Sequence, residues 1–112
     1  MRMEEELNRM RILNHGEEIL ILVTEEAVSF AGMAFVQLVK EGIDPTIADM
    51  TLYKEEDREE LQRMLRSHAQ IIVYGVNEQL PWMAELSAYR TVSEEEDLTA
   101  AVRKIRQERM MH

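Results

Sequence analysis

The residues with chemistry to offer gather where apolar runs end. Thr24-Glu25-Glu26 follows the run 19–23, Thr51 and Tyr53 close the stretch from 46, and Gly75-Val76-Asn77 closes 69–76. Hydroxyls, carboxylates and a carboxamide hydrogen-bond small polar molecules, and carboxylate oxygens suit magnesium or calcium. In open parallel sheets, ligands sit beyond the C-terminal strand ends, at the point where strand order reverses. Thr24, Glu25, Thr51, Gly75 and Asn77 therefore form the candidate binding rim. Gly75 is the position where backbone can come closest to a ligand. The acids have a second explanation. Glu25/Glu26, Glu55/Glu56/Asp57 and Glu94/Glu95/Glu96 each open a predicted helix, where negative charge complements the helix dipole.

Other chemistries lack their residues. The turn after 19–23 carries neither GxGxxG nor GxxxxGK[ST], and its acids repel phosphate, so nucleotide, flavin or any other cofactor is not expected. With no cysteine, thiolate catalysis, disulfides and cysteine metal sites are excluded. His15, His68 and His112 share no ligand spacing, so no metal site is expected from them. Ser29, Ser87 and Ser93 stand in no Ser-His-Asp arrangement. A phosphoacceptor receiver would put an acid at the end of its third strand, where this chain has Gly75-Val76-Asn77. No nucleophile or base can be nominated, and the sequence reads as non-catalytic.

Charge narrows the partners. A net charge of −9 opposes nucleic acid and anionic membrane surfaces. The basic run 103–109 reads as a complement to a helix C-terminus. No apolar run approaches the ~20 residues a spanning helix needs. The N-terminal MRMEEELNRM is no secretory signal, so the expected location is cytoplasmic. The 112 residues, 46% of them hydrophobic, suit one domain with a real core.

The elements that position the rim follow from periodicity. Met3, Leu7, Met10 and Leu13 predict an amphipathic helix over 3–13, ended near Gly16. Residues 19–23 lack alternation and predict a strand covered on both faces. Thr24 is the expected cap of a helix over 25–41, closed by Gly42. Residues 46–52 alternate, hold Asp49 and suit an edge strand. A helix over 55–67, a central strand over 69–76 and a short helix over 78–87, capped by Asn77, follow. A mixed edge strand over 88–92 comes next. Ser93-Glu94-Glu95-Glu96 is a capping box for a helix over 94–109.

This alternation predicts a three-layer α/β/α sandwich in a single domain, 1–112. Residues 1–16 form an N-terminal helix and turn, and 17–109 form the β-α-β-α-β-α-β-α core. Its four-stranded parallel sheet has order 2-1-3-4, counting predicted strands. The layout is flavodoxin-like, or Rossmann-like. It resembles the small flavodoxin-like families that include DsrE-type sulfur-relay subunits and phosphotransferase IIB domains. Those families work through a cysteine near a strand end. Thr24 and Gly75-Val76 stand in the corresponding neighbourhoods, so the resemblance extends to architecture and not to either activity.

One helix is too apolar for one neighbour. On a wheel, Ala27, Ala31, Ala34 and Leu38 make one stripe, and Val28, Gly32, Phe35, Val36 and Val39 extend it. Ser29, Gln37, Lys40 and Glu26 hold the polar side, with Phe30 and Met33 among them. The apolar arc is roughly twice the ~100° that covers a single core face. Gln79-Leu80-Pro81-Trp82-Met83 adds a Trp and a Met, which core packing accounts for; the alternative is an interface patch, since both types are enriched at contacts. Phe35, Val36, Val39, Trp82 and Met83 are the expected interface residues. The function expected is a non-catalytic domain that forms a homo-oligomer, a dimer first, or docks on a protein partner. The alternative is a small molecule or divalent cation at the rim.

Overall fold

The computed structural model describes residues 9–110. Five strands and three α-helices alternate along them: β1 (Arg11–Asn14), β2 (Leu20–Val23), α1 (Ala27–Lys40), β3 (Thr46–Asp49), α2 (Arg58–Ser67), β4 (Ile71–Tyr74), β5 (Arg90–Val92) and α3 (Leu98–Met110). Single 3-10 segments cover Glu55–Asp57 and Pro81–Glu85. The sheet order is β1-β3-β2-β4-β5. β3, β2, β4 and β5 are parallel, with Leu20 beside Thr46 and Ile71, and Tyr74 beside Val92. The four predicted strands thus stand in the predicted order.

β2 is buried along its whole length. Its alternate side chains supply two cores, one on each face of the sheet. Ile21 and Val23 join Ala27, Ala31 and Leu38 of α1 and Leu98, Val102 and Ile105 of α3. Leu20 and Leu22 face the other way, with Leu61 and Met64 of α2, Trp82 and Met83. Each such large apolar side chain, fully buried, contributes about 1.5–3 kcal/mol. The architecture is a small, Rossmann-like three-layer sandwich.

The main correction concerns the predicted helix over 3–13. Residues 11–13 are strand, not helix, and 3–8 lie outside the described residues. β1 runs antiparallel to β3, with Arg11 opposite Asp49 and Ile12 opposite Ala48. Met10-Arg11-Ile12-Leu13 fits a period of two as well as a helical one. The unpaired backbone edge of β3 decides the matter, because strand pairing satisfies it and a helix cannot. β3 is consequently not an edge, and all four of its residues are buried. Gly16 ends no helix; its amide and carbonyl both bond Thr46 Oγ1, at 2.9 and 2.8 Å.

Several element ends also move. α1 closes in a Schellman motif. Gly42 at φ 77° donates to Val39 O (3.0 Å), and Ile43 donates to Leu38 O (2.9 Å). Its start is not capped by Thr24: Glu26 holds the cap position without a side-chain bond. Residues 78–87 give only the 3-10 turn Pro81–Glu85, because Pro81 holds Leu80 extended. Asn77 therefore caps nothing. The box at Ser93 forms: the Ser93 amide donates to Glu96 Oε1 at 3.0 Å and Ser93 Oγ accepts from the Glu95 amide at 3.1 Å. It closes a turn, and α3 starts later, with Asp97 Oδ1 accepting from the Ala100 amide at 3.2 Å.

Candidate functional site

The rim is built by the ends of β2 and β3. After β3, Asp49 Oδ1 accepts both the Thr51 amide (3.0 Å) and the Thr51 hydroxyl (2.6 Å). Thr51 Oγ1 in turn accepts the Glu25 amide at 2.7 Å. This chain fixes the corner after β2, where Glu25 sits at φ 50°, a conformation that L side chains rarely adopt. Arg11 Nη2 reaches Asp49 Oδ2 at 3.3 Å and balances its charge. An open cavity of about 170 Å³ lies beside the corner, lined by Thr24, Glu25, Thr51, Tyr53 and Trp82 among others. Burial, and then the Glu85 carboxylate, push the Tyr53 phenol up, so it stays protonated at neutral pH.

The five rim residues do not all meet. Thr24, Glu25 and Thr51 line the cavity; Gly75 and Asn77 do not. Gly75 stands at φ 72°, and a Cβ on it would lie 2.4 Å from Ala27 Cβ. The close approach at Gly75 is that of Ala27 on α1. The hydroxyl and carboxylate of Thr51 and Asp49 are spent on holding the corner. Among the described residues, no group of three or more His, Asp or Glu is placed to hold a metal ion.

The outer face of α1 is the other candidate. Ala27, Ala31 and Leu38 are buried, and Phe35 packs partly into the same core. Phe30, Met33, Val36 and Val39 are 47%, 71%, 56% and 50% exposed. Of the expected interface residues, Val36 and Val39 are on the surface. Trp82 and Met83 are in the core on the opposite side of the sheet. On the wheel Phe30 and Met33 fall on the polar side, and the structure puts them at the centre of the exposed apolar surface. The signal for them was in the sequence: no charged residue stands between Glu26 and Lys40.

Charges bracket this face. At the C-terminal end, Arg103 of α3 donates to both Glu41 oxygens, at 2.7 and 2.5 Å. Arg103, and after it Gln37, hold the Glu41 carboxyl down at about 2. Among the described residues, neither the Glu26 carboxylate nor the Lys40 ammonium has an ion-pair partner. Beside the face, an open groove of about 270 Å³ is lined by Phe30, Met33, Tyr74 and the acids Glu94, Glu96 and Asp97. The arrangement offers contact area and a charge at each end. No described helix is long and apolar enough to cross a membrane.

No protein-family model matches the chain, and no curated protein sequence does. Solved structures do match in fold. One is a 2-oxoglutarate:ferredoxin oxidoreductase from Magnetococcus marinus, with 2-oxoglutarate, coenzyme A and succinyl-CoA bound. It aligns at 17% identity and TM-score 0.69 over 92% of this chain and 20% of its own. Another is a split gene transketolase in the form of an inactive β4 tetramer, at 19% identity and TM-score 0.63 over 87% of this chain and 41% of its own. The chain spans well under half the length of either. At such identities the likeness establishes a Rossmann-like α/β fold.

Proposed function

We propose that this chain is a non-catalytic assembly domain that docks a protein partner on the outer face of α1. The exposed row Phe30, Met33, Val36 and Val39 carries the reading. Apolar side chains scattered singly over a surface need no explanation, but a contiguous row on one helix marks a contact site. Binding would bury it and recover the hydrophobic free energy it forgoes in water. The fold neighbours support the reading from a second direction. Both matches cover parts of longer chains, and one of them is described as an inactive β4 tetramer. The net charge of −9 works against nucleic acid as the partner.

Sedimentation equilibrium at micromolar concentration tests the proposal. The unaltered chain is expected above its 13.2 kDa monomer mass. Val36→Asp, which charges an exposed position without touching the core, is expected to return it to the monomer. A chain that stays monomeric throughout would overturn self-association through this face.

A second reading rests on the rim. Glu25 at φ 50° is strained, and strained residues cluster at binding sites. It borders the cavity of about 170 Å³ with Thr24 and Thr51. A thermal-shift screen with small polar metabolites and divalent cations tests that reading; unmoved midpoints would remove it.

A further inference from the structure

We infer that the partner on α1 is a second copy of this chain, docked about a two-fold axis through Met33 so that the two α1 helices run antiparallel. The inference rests on the reading that the outer face of α1 is the docking surface, and it names the occupant. A two-fold contact requires self-complementarity: whatever stands on one side of the axis must fit what stands equally far on the other. The outward face of α1 has that property about Met33. Glu26 and Lys40 stand equally far from Met33 along the sequence, as do Phe30 and Val36, and Ser29 and Gln37. An acid thus pairs with a base, apolar with apolar, and polar with polar. The match holds for an antiparallel pair and fails for a parallel one, which would set Glu26 against Glu26 and Lys40 against Lys40.

Helix geometry puts these residues where the match can act. Seven residues turn a helix to within about 20° of two full turns. Glu26, Met33 and Lys40 therefore lie nearly on one line along α1, pointing away from buried Ala31 and Leu38. Phe30 and Val36 flank that line on opposite sides. In an antiparallel pair this sets Phe30 of one copy level with Val36 of the other on opposite sides of the seam, so that each lies beside the line of Met33 and fills the space the other leaves. Met33, the most exposed of the four at 71%, falls on the axis. A shallow crossing of about 20° keeps the helices in contact over their full length.

The charges favour a second copy over an unlike partner. Glu26 and Lys40 lie about 21 Å apart along α1, far beyond ion-pair reach within the helix. Among the described residues neither has another partner. A two-fold antiparallel pair closes both at once, twice per dimer, and opposes the two helix dipoles favourably. Between Glu26 and Lys40 the helix itself carries no charge, and the acids Glu94, Glu96 and Asp97 flank it beside Phe30 and Met33. A partner with a basic face would instead be drawn to the exposed acids elsewhere, and would leave Lys40 opposed by like charge.

The chain contains no cysteine, so a single introduced thiol reads the geometry directly. Met33→Cys should form a covalent dimer rapidly under mild oxidation with diamide. Arg66→Cys, on exposed α2, should stay largely monomeric. Glu26→Lys and Lys40→Glu should each weaken the dimer about tenfold in sedimentation, since each replaces two attractions by two repulsions. The double reversal should restore the original affinity. An assembly that Val36→Asp dissociates, but that neither cross-links at position 33 nor recovers on double reversal, overturns the antiparallel second copy and leaves α1 as the docking face. A chain that is monomeric throughout overturns the second copy and leaves only an unlike protein as the occupant of α1.

Discussion

Arg9 reaches across to the fully buried carboxylate of Asp57, its Nε and Nη2 donating to Oδ1 at 3.0 and 2.9 Å. The other oxygen accepts the Met10 amide at 3.2 Å and the Lys54 amide at 3.0 Å. Burial pushes this carboxyl up, and the Lys54 amide, Arg9 and the Met10 amide more than offset it, so its pKa is below the usual value. Asp57 thereby fastens the chain entering β1 to the start of α2. Asp57→Ala should lower unfolding stability by about 2–4 kcal/mol, because it leaves the Met10 and Lys54 amides unmet. Arg9→Ala should lower it by less, about 1–3 kcal/mol, since the two amides still hold the carboxylate. Urea unfolding of the two variants reads the difference, and an equal loss in both would contradict this division.

Gly75 meets Ala27 more closely than any side chain allows, its notional Cβ falling 2.4 Å from Ala27 Cβ. Gly75→Ala should destabilise by about 2–4 kcal/mol, from a positive φ and from overpacking together. Adding Ala27→Gly relieves the second term and leaves the first. The double variant should therefore recover part of the loss relative to Ala27→Gly alone, a coupling that a double-mutant cycle measures. Strict additivity would show that the clash is relieved by other means.

Much of this fold was legible where one physical signal acted alone. Residues 19–23 and 69–76 lack alternation, and both became central strands because only a doubly covered strand tolerates that. The order of the four parallel strands followed from two fully apolar runs flanked by two mixed ones, and their parallel sense from crossover rules. What was not legible depended on partners distant in sequence. Arg11–Asn14 fits two periods, and β3, which settles the choice, lies far along the chain. The burial of Trp82 depends on which face of the sheet its turn folds over, and no local pattern states that. Ser93 meets the capping-box rule, but the same bonds close a plain turn, with Asp97 left to cap α3. The candidate face was half legible: the excess apolar arc was visible. Its centre at Met33 was marked only by the lack of charge between Glu26 and Lys40, because apolar residues among polar ones read as part of the solvated side.

Thr51 is the acceptor that holds the Glu25 amide in its strained corner. Thr51→Val keeps the shape and removes the hydroxyl. The Glu25 amide then loses its partner, and Asp49 loses one of its donors. Stability should fall by about 1–3 kcal/mol. Thr51→Ser should retain most of it. The local test is hydrogen exchange: the Glu25 amide should exchange faster in Thr51→Val while the amides of α3 are unaffected. An unchanged Glu25 rate would mean that the corner is held by backbone geometry alone.

Glu41 joins α1 to α3 through Arg103, and its carboxyl titrates at about 2 against an ordinary value of 4.5. A depressed carboxyl stabilises the fold above its unfolded value and loses that contribution as pH falls toward its folded one. The Glu41 contribution is therefore complete above about pH 4.5 and disappears between there and about pH 2. Asp57, also depressed, adds a loss in the acid range. Arg103→Ala removes the main cause of the Glu41 shift and leaves Asp57 intact. The urea midpoint of Arg103→Ala should lie below that of the unaltered chain at pH 6, and the gap should narrow as pH falls to 3. Both chains should still weaken with acid, because Asp57 titrates in each. A gap that stays constant down to pH 3 would mean that Arg103 stabilises the fold by packing its side chain over α1 and not through the Glu41 charge.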